Sequence, residues 1–216
     1  VDEVKVYQGS ATATAPTSAP TAPTKAEANV KSLFSDSYTA AVGATWSTDW
    51  DSVTGPEAVT FGTNAVKKYT NLNFLGIEPA STLNVANMDT FHIDVWRSNA
   101  AADFKIKLVD FGANGAYGGG DDKEHEIVFN AANSNAVAAN EWVGLDIPLS
   151  QFTGMSTKEH FAQLIISSTV NGQASGESLW IDNVYFSKAA TVSTPTSAPT
   201  APTKAEANVK SLFSDR

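Results

Sequence analysis

An all-β fold, a β-sandwich or jelly roll, is what this chain of 216 residues predicts. Two observations carry that reading. Short runs of alternating apolar and polar side chains recur along the middle of the chain, with turn-rich stretches between them. Their number and spacing, about eight to ten strands, suit two packed sheets. Helical periodicity is weak by comparison, and the best helix candidate is a turn near "PLSQFTGMSTKEH".

The strands can be taken in order. In "ANVKSLFSD", Val30, Ser32 and Phe34 alternate with Lys31, Leu33 and Ser35. Further strands follow at "EAVTFG", "NLNFLGIEP", "TFHIDVWRS" and "DFKIKLVDFG". The remaining ones are "HEIVFN", "WVGLDIPLS", "HFAQLIISS" and "SLWIDNVYFS". About 160 residues are enough for one domain that buries roughly 70% of its unfolded surface.

The flanks repeat one another. "PTSAPTAPTKAEANVKSLFSD" runs from Pro16 to Asp36 and again from Pro195 to Asp215, identical over 21 residues at an offset of 179. Its first part holds only Pro, Thr, Ser and Ala, so it offers no large side chain to a core and favours extended, semi-rigid chain. Its second part is the first strand of a domain. The chain therefore reads as a piece of a longer protein. Residues 1–9 close an upstream domain and residues 10–26 form a Pro/Thr-rich linker. One module spans 27–188, a second linker spans 189–204, and 205–216 open a similar module. The first ten residues, "VDEVKVYQGS", resemble the closing strand of family 16 glycoside hydrolases of the laminarinase and agarase type. The residues that carry this likeness are Val1, Asp2, Val4, Lys5, Val6 and Tyr7; "IDNVYF" (Ile181 to Phe186) has a similar shape, so the end of another binding module is the alternative.

Composition narrows the function. There is no cysteine, hence no disulfide and no thiol chemistry. A formal net charge of −9 argues against nucleic acid, whose phosphates attract Lys and Arg. No apolar run approaches the ~20 residues of a membrane span. No leader peptide is seen, which for a piece of a longer chain says nothing about secretion.

Strand parity sorts the candidate site residues. Phe91, Ile93 and Val95 share one face of their strand, and His92, Asp94 and Trp96 the other. Phe104, Ile106 and Leu108 oppose Lys105 and Lys107 in the same way. One sheet is thus expected to carry a core face and a second face bearing Trp, His, Asp and Lys. Such a face is ordinary solvated surface in many proteins. Trp96 favours a ligand: an indole stacks on the C–H face of a pyranose ring while carboxylates, amides and Lys bond its hydroxyls. Trp46 and Trp50 in "TWSTDW", and Tyr117, Asp121 and Asp122 in "GANGAYGGGDDKEHEI", complete the candidate carbohydrate contacts. The latter loop is glycine-rich, which permits tight turns and close approach to backbone. It lacks the Gly-Lys-Ser/Thr ending of a phosphate loop, and its carboxylates lack the EF-hand spacing.

Taken together, "SLFSDSYT", "TWSTDW", "KKYTNLNFLGIE", "FHIDVWR", "WVGLDIPLSQFTG" and "LWIDNVYF" resemble a non-catalytic carbohydrate-binding module. Such modules are attached, often in tandem, to secreted bacterial polysaccharide hydrolases. The resemblance spans nearly all of Val30 to Phe186. It implies a jelly roll similar to the galactose-binding-like modules, several of which hold a structural Ca²⁺ near the first and last strands. Asp36 and Asp182 are the matching positions here, with Glu27 as a third. It also implies a polysaccharide partner, with laminarin-type β-1,3-glucan in the lead because of the N-terminal run and agar or porphyran galactans next. A covalently attached catalytic domain, a sister module and a secreted location complete the expectation.

Two rivals stand beside it. A jelly-roll hydrolase or lyase needs a pair of carboxyls, and retaining glycosidases place theirs about 5–5.5 Å apart. Asp121, Asp122, Glu124 and Glu126 are the candidates. The family 16 pattern Glu-x-Asp-x-x-Glu is missing, as are Gly-x-Ser-x-Gly and His-Glu-x-x-His. A spacer or adhesive sandwich with no ligand is the second rival.

Overall fold

A computed structural model describes residues 15–189 and the isolated positions Thr203 and Lys210. The expected upstream strand at 1–9 lies outside the described residues. So do the expected opening strand at 205–216, apart from Lys210, and nearly all of the 189–204 linker.

β1 (Val30–Phe34) and the short β2 (Ala44–Thr45) precede a long hairpin of β3 (Ser52–Phe61) and β4 (Asn64–Pro79). β5 (Thr90–Arg97), β6 (Asp103–Asp110), β7 (Lys123–Phe129) and β8 (Trp142–Pro148) follow. β9 (Phe161–Val170), β10 (Gln173–Ala174) and β11 (Glu177–Ser187) complete the chain. The expected helix near Pro148 is a single 3₁₀ turn, Leu149–Gln151.

Hydrogen bonding runs β7-β6-β9-β4-β11-β5-β8. β4 is the hinge of this path. Its first half pairs with β11 through Tyr69↔Leu179 and Lys68↔Trp180, and its second half with β9 through Leu75↔Ile166 and Ile77↔Leu164. The sheet therefore curls into two layers that share β4. The first layer is β7-β6-β9 with the end of β4. The second is the start of β4 with β11-β5-β8. Charged "KKYT" hides the length of β4 from a reading by alternation, because a strand that changes layers changes neighbours along its course.

Between the layers lies one apolar core. Phe91, Ile93 and Val95 from β5 meet Phe104, Ile106 and Leu108 from β6, and Ile181 and Phe186 from β11 join them. Parity thus assigned the inward faces of β5 and β6 correctly. In β11 the alternation breaks: the register shifts between Asp182 and Tyr185, and Asn183 sits at φ 49°. Asn tolerates this left-handed geometry. The bulge returns Val184 and Phe186 to the core after Leu179 and Ile181.

The Pro/Thr-rich linker expected over 10–26 is described from residue 15 on, and its residues 18–25 lie as a strap against the second layer. The Trp142 indole N–H donates to the Ser18 carbonyl at 2.7 Å, and the Tyr38 hydroxyl to the Lys25 carbonyl at 3.0 Å. Composition excludes these residues from a core but not from a surface.

Candidate functional site

Because β5 and β6 belong to different layers, their outward faces point to opposite sides of the sandwich. The single face expected to carry Trp96, His92, Asp94, Lys105 and Lys107 is in fact two faces, back to back.

On the first layer, register builds a row across the strands. Gly76 of β4 pairs with Ile165 of β9, which pairs with Lys107 of β6, which pairs with Glu126 of β7. Strands lie about 4.8 Å apart, so Lys107 stands roughly 10 Å from Gly76. Over Gly76 lies Trp50, 39% exposed. Its ring is 14° from parallel to Phe74, at 6.3 Å. Asp51 fixes the turn that carries it: Oδ2 accepts from the Thr48 N–H at 3.0 Å and from the Gly76 N–H at 3.4 Å. The Trp50 indole N–H donates to Glu78 Oε1 at 3.3 Å, which also accepts from Gln163 Nε2 at 2.7 Å. Lys107 pairs with Glu124 at 3.1 Å and Lys105 with Glu126 at 3.7 Å. The result is a partly exposed indole, parallel to the Phe74 ring and bordered by the Gln163 amide, the Glu78 carboxylate and the two Lys–Glu pairs. That arrangement suits a neutral polyhydroxylated ring, by stacking below and hydrogen bonds at the rim. Glu78 and Gln163 were missed in the sequence, although parity in "NLNFLGIEP" and "HFAQLIISS" places both outward.

Trp46 parts company with Trp50. It is half-buried, edge-on to Phe34 at 5.4 Å, with the Lys67 ammonium 4.7 Å from its ring centre. The glycine-rich loop sits at the Glu78 end of the first layer, where Phe111 and Gly115 share a cavity of about 410 Å³ with Glu78 and Pro79. Tyr117 is 79% exposed at its tip. Asp121 and Asp122 face inward to the loop itself. Asp121 accepts from the N–H (3.0 Å) and side-chain amide (2.8 Å) of Asn114, and Asp122 from the Gly118 N–H at 2.9 Å. They shape the loop that presents Tyr117.

On the second layer Trp96 is the main correction. It is 2% exposed, not free for stacking. Trp180 meets it edge-on at 4.8 Å, and Val66, Phe61 and Trp142 close around the pair. The indole was judged by its own strand, whereas cross-strand neighbours decide its burial. Farther along this face His92 stacks on Tyr185 with ring centres 4.5 Å apart. Its Nδ1 lies 2.9 Å from Asp146 and its Nε2 3.5 Å from Asp94. Burial lowers the His92 pKa, and the two carboxylates outweigh burial, so the net shift is upward. The strap roofs this region, leaving a cavity of about 510 Å³.

The family model for carbohydrate binding domain 30 matches residues 5–188. The chain belongs to that family. Its members are non-catalytic binding modules, which removes the enzyme rival for this domain. No curated protein sequence matches the chain. Two crystal structures of family 30 carbohydrate-binding modules share its fold. The first is 16% identical with a TM-score of 0.53, over 78% of this chain and 93% of its own. The second is 13% identical with a TM-score of 0.50, over 74% and 99%. A family 30 module of a cellulosomal cellulase from Clostridium thermocellum is 16% identical at a TM-score of 0.47, over 66% and 86%.

In this family 30 module the expected metal residues fall into two groups. Asp182 is fully buried, with Oδ1 accepting from the Asn183 N–H at 2.6 Å and Oδ2 lacking a partner. Asn64 Oδ1, beside it, is also buried without a partner. Burial, then the nearby Asp94 and Asp36 carboxylates, push the Asp182 pKa up to about 7. Asp36 faces this group while accepting from the Ala65 N–H. Glu27 stands apart: its carboxylate accepts from the Thr39 N–H at 3.1 Å. Among the described residues no three His, Asp or Glu side chains converge as a metal-binding group. Two orphaned buried oxygens beside a facing carboxylate nevertheless have the hard-oxygen chemistry that Ca²⁺ takes.

Proposed function

We propose that the module binds a neutral β-glycan along the outer face of its first layer, with Trp50 as the stacking platform. The observation that carries this reading is the exposed Trp50 indole set directly over Gly76 and hydrogen-bonded to Glu78, on the same face as the Lys107–Glu124 pair. The Glu78 carboxylate beside the indole, with the lysines of that face already paired, favours an uncharged polymer over an acidic one. Laminarin-type β-1,3-glucan leads because "VDEVKVYQ" resembles the end of a laminarinase-type hydrolase, and agar or porphyran galactans come next. The module would then hold an attached, secreted hydrolase on its substrate while each contact stays reversible.

Calcium belongs to the same proposal. Asp182, Asp36 and the side-chain oxygen of Asn64 would hold it, and it would neutralise carboxylates where the β1 end meets β11.

The deciding experiment incubates the protein with laminarin, agarose, xylan and mannan and follows both retention and released sugar. Retention without release on a β-glucan is the expected result. Retention on agarose, xylan or mannan instead would reassign the glycan, and no retention on any polymer would make the domain a spacer.

A further inference from the structure

The strap and β1 form one continuous element at the periphery of the module. Ser18 to Lys25 run over the outer face of the second layer. The chain then passes through a 3₁₀ turn, Glu27–Asn29, into β1. β1 pairs with β11 at Val30↔Ser187, Lys31↔Phe186, Ser32↔Tyr185 and Phe34↔Val184. On its other side a single parallel bridge, Ser32↔Ala40, is formed. Of its side chains Leu33 reaches the core, at 3% exposure, and Phe34 packs beside it. The element is thus held by its own ladder, the Trp142 and Tyr38 hydrogen bonds, the Ser35 hydroxyl donating to Asn183 Oδ1 at 2.6 Å, the Lys31 ammonium on the Asn84 carbonyl, and the buried Ser32 and Leu33.

Every residue of this element from 16 to 35 has a double. Residues 195–215 repeat 16–36 letter for letter, so Ser197, Leu212, Phe213 and Ser214 duplicate Ser18, Leu33, Phe34 and Ser35. We propose that residues 195–214 of one molecule dock onto a second copy of this chain, along its groove and its β11, in place of that copy's residues 16–35. The interaction surface is the trough lined by Trp142, Gly144, Asp146 and Tyr185, continued by the β11 edge at Val184 to Ser187.

Identity of sequence makes the incoming segment equal to the resident one in every contact, so tethering alone separates them. The tail also starts in the right place: the Lys188 N–H donates to the Asn29 carbonyl at 3.0 Å, so it leaves the module where the exchangeable element enters. Exchange of identical elements between copies is a low-cost route to association. The resident copy has the advantage of an effective concentration of about millimolar or more. Intact chain at ~10 μM therefore stays monomeric, and association grows as concentration approaches ~1 mM.

Duplicate positions supply an asymmetric test. Leu33→Ala weakens the resident copy and leaves the incoming one whole. Leu212→Ala does the reverse. In sedimentation velocity on the full chain, Leu33→Ala should lower the association midpoint by roughly tenfold or more, the scale of losing a buried leucine. Leu212→Ala should remain monomeric across the series. Equal mass distributions for the two variants would overturn the exchange, and association that persists in Leu212→Ala would place the contact on another surface. A labelled peptide of residues 195–216 gives a second readout that does not depend on Leu33→Ala folding. It should bind the wild-type chain at high concentration, and the same peptide with Leu212→Ala should bind at least roughly tenfold more weakly. Indistinguishable peptides, or no binding at ~1 mM, would defeat the proposal.

Discussion

Trp50 rests on the bare backbone of Gly76: a Cβ at that glycine would stand 2.6 Å from Cζ2 of the indole. The site therefore depends on a missing side chain as much as on a present one. Trp50→Ala should weaken β-glycan binding by roughly 1–3 kcal/mol, the scale of one large aromatic contact, with a nearly unchanged melting temperature. Gly76→Ala should also cost affinity, because the ring must lift away from the sheet. Calorimetric titration against the polymer checks both. Intact affinity in Trp50→Ala would move the site elsewhere.

Trp96 should behave in the opposite way. Its ring is enclosed by Trp180, Trp142, Val66 and Phe61. Trp96→Ala should destabilise the fold by about 3–5 kcal/mol, as large-to-small aromatic changes in packed sites do. Glycan affinity of the remaining folded protein should hold. Denaturant melts paired with binding at low temperature separate the two quantities, and a variant of normal stability would show the indole to be unneeded for packing.

The His92 cluster predicts a pH dependence. With its folded pKa raised above the unfolded value near 6.5, His92 adds stability that is fully present below pH ~6.5. That contribution disappears as pH rises through the folded pKa. Melting temperature should thus carry a component that falls from pH 6 towards pH 8, and His92→Gln should flatten it. The same slope in wild type and variant would assign the effect to other groups.

Calcium should raise the melting temperature through Asp182. A ligand that binds only the native state stabilises it by about 2.7 kcal/mol at a hundred times its Kd. Excess chelator should reverse the gain, and Asp182→Asn should abolish it. Superimposable melts in calcium and in chelator would reject the site.

Much of this fold was legible because burial follows alternation. Phe91, Ile93, Val95, Phe104, Ile106 and Leu108 sort inward by parity alone. Parity acts within a strand, however, and cannot say which strands share a layer. Parity alone makes His92 and Lys107 neighbours, whereas the layers put them on opposite sides. Trp50 was legible as an aromatic in a loop, but Glu78 and Gln163 needed the β4–β9 ladder to bring them to it. The strap was hidden for a different reason. Hydrogen bonds from Trp142 and Tyr38 reach its backbone carbonyls, which every sequence possesses.

Val30 and Ser187 are partners at the mouth of the β1–β11 ladder. Tension carried along a polymer-bound chain would enter and leave the module at this one corner. Pulled apart there, an antiparallel pair opens like a zip, one rung after another, with little mechanical resistance. The strap changes that geometry. Force arriving from the N-terminal side meets Trp142 and Tyr38 first and must peel eight docked residues before it reaches Val30. Under load the strap would therefore yield first, as a sacrificial latch, before strain reached the far face that carries Trp50.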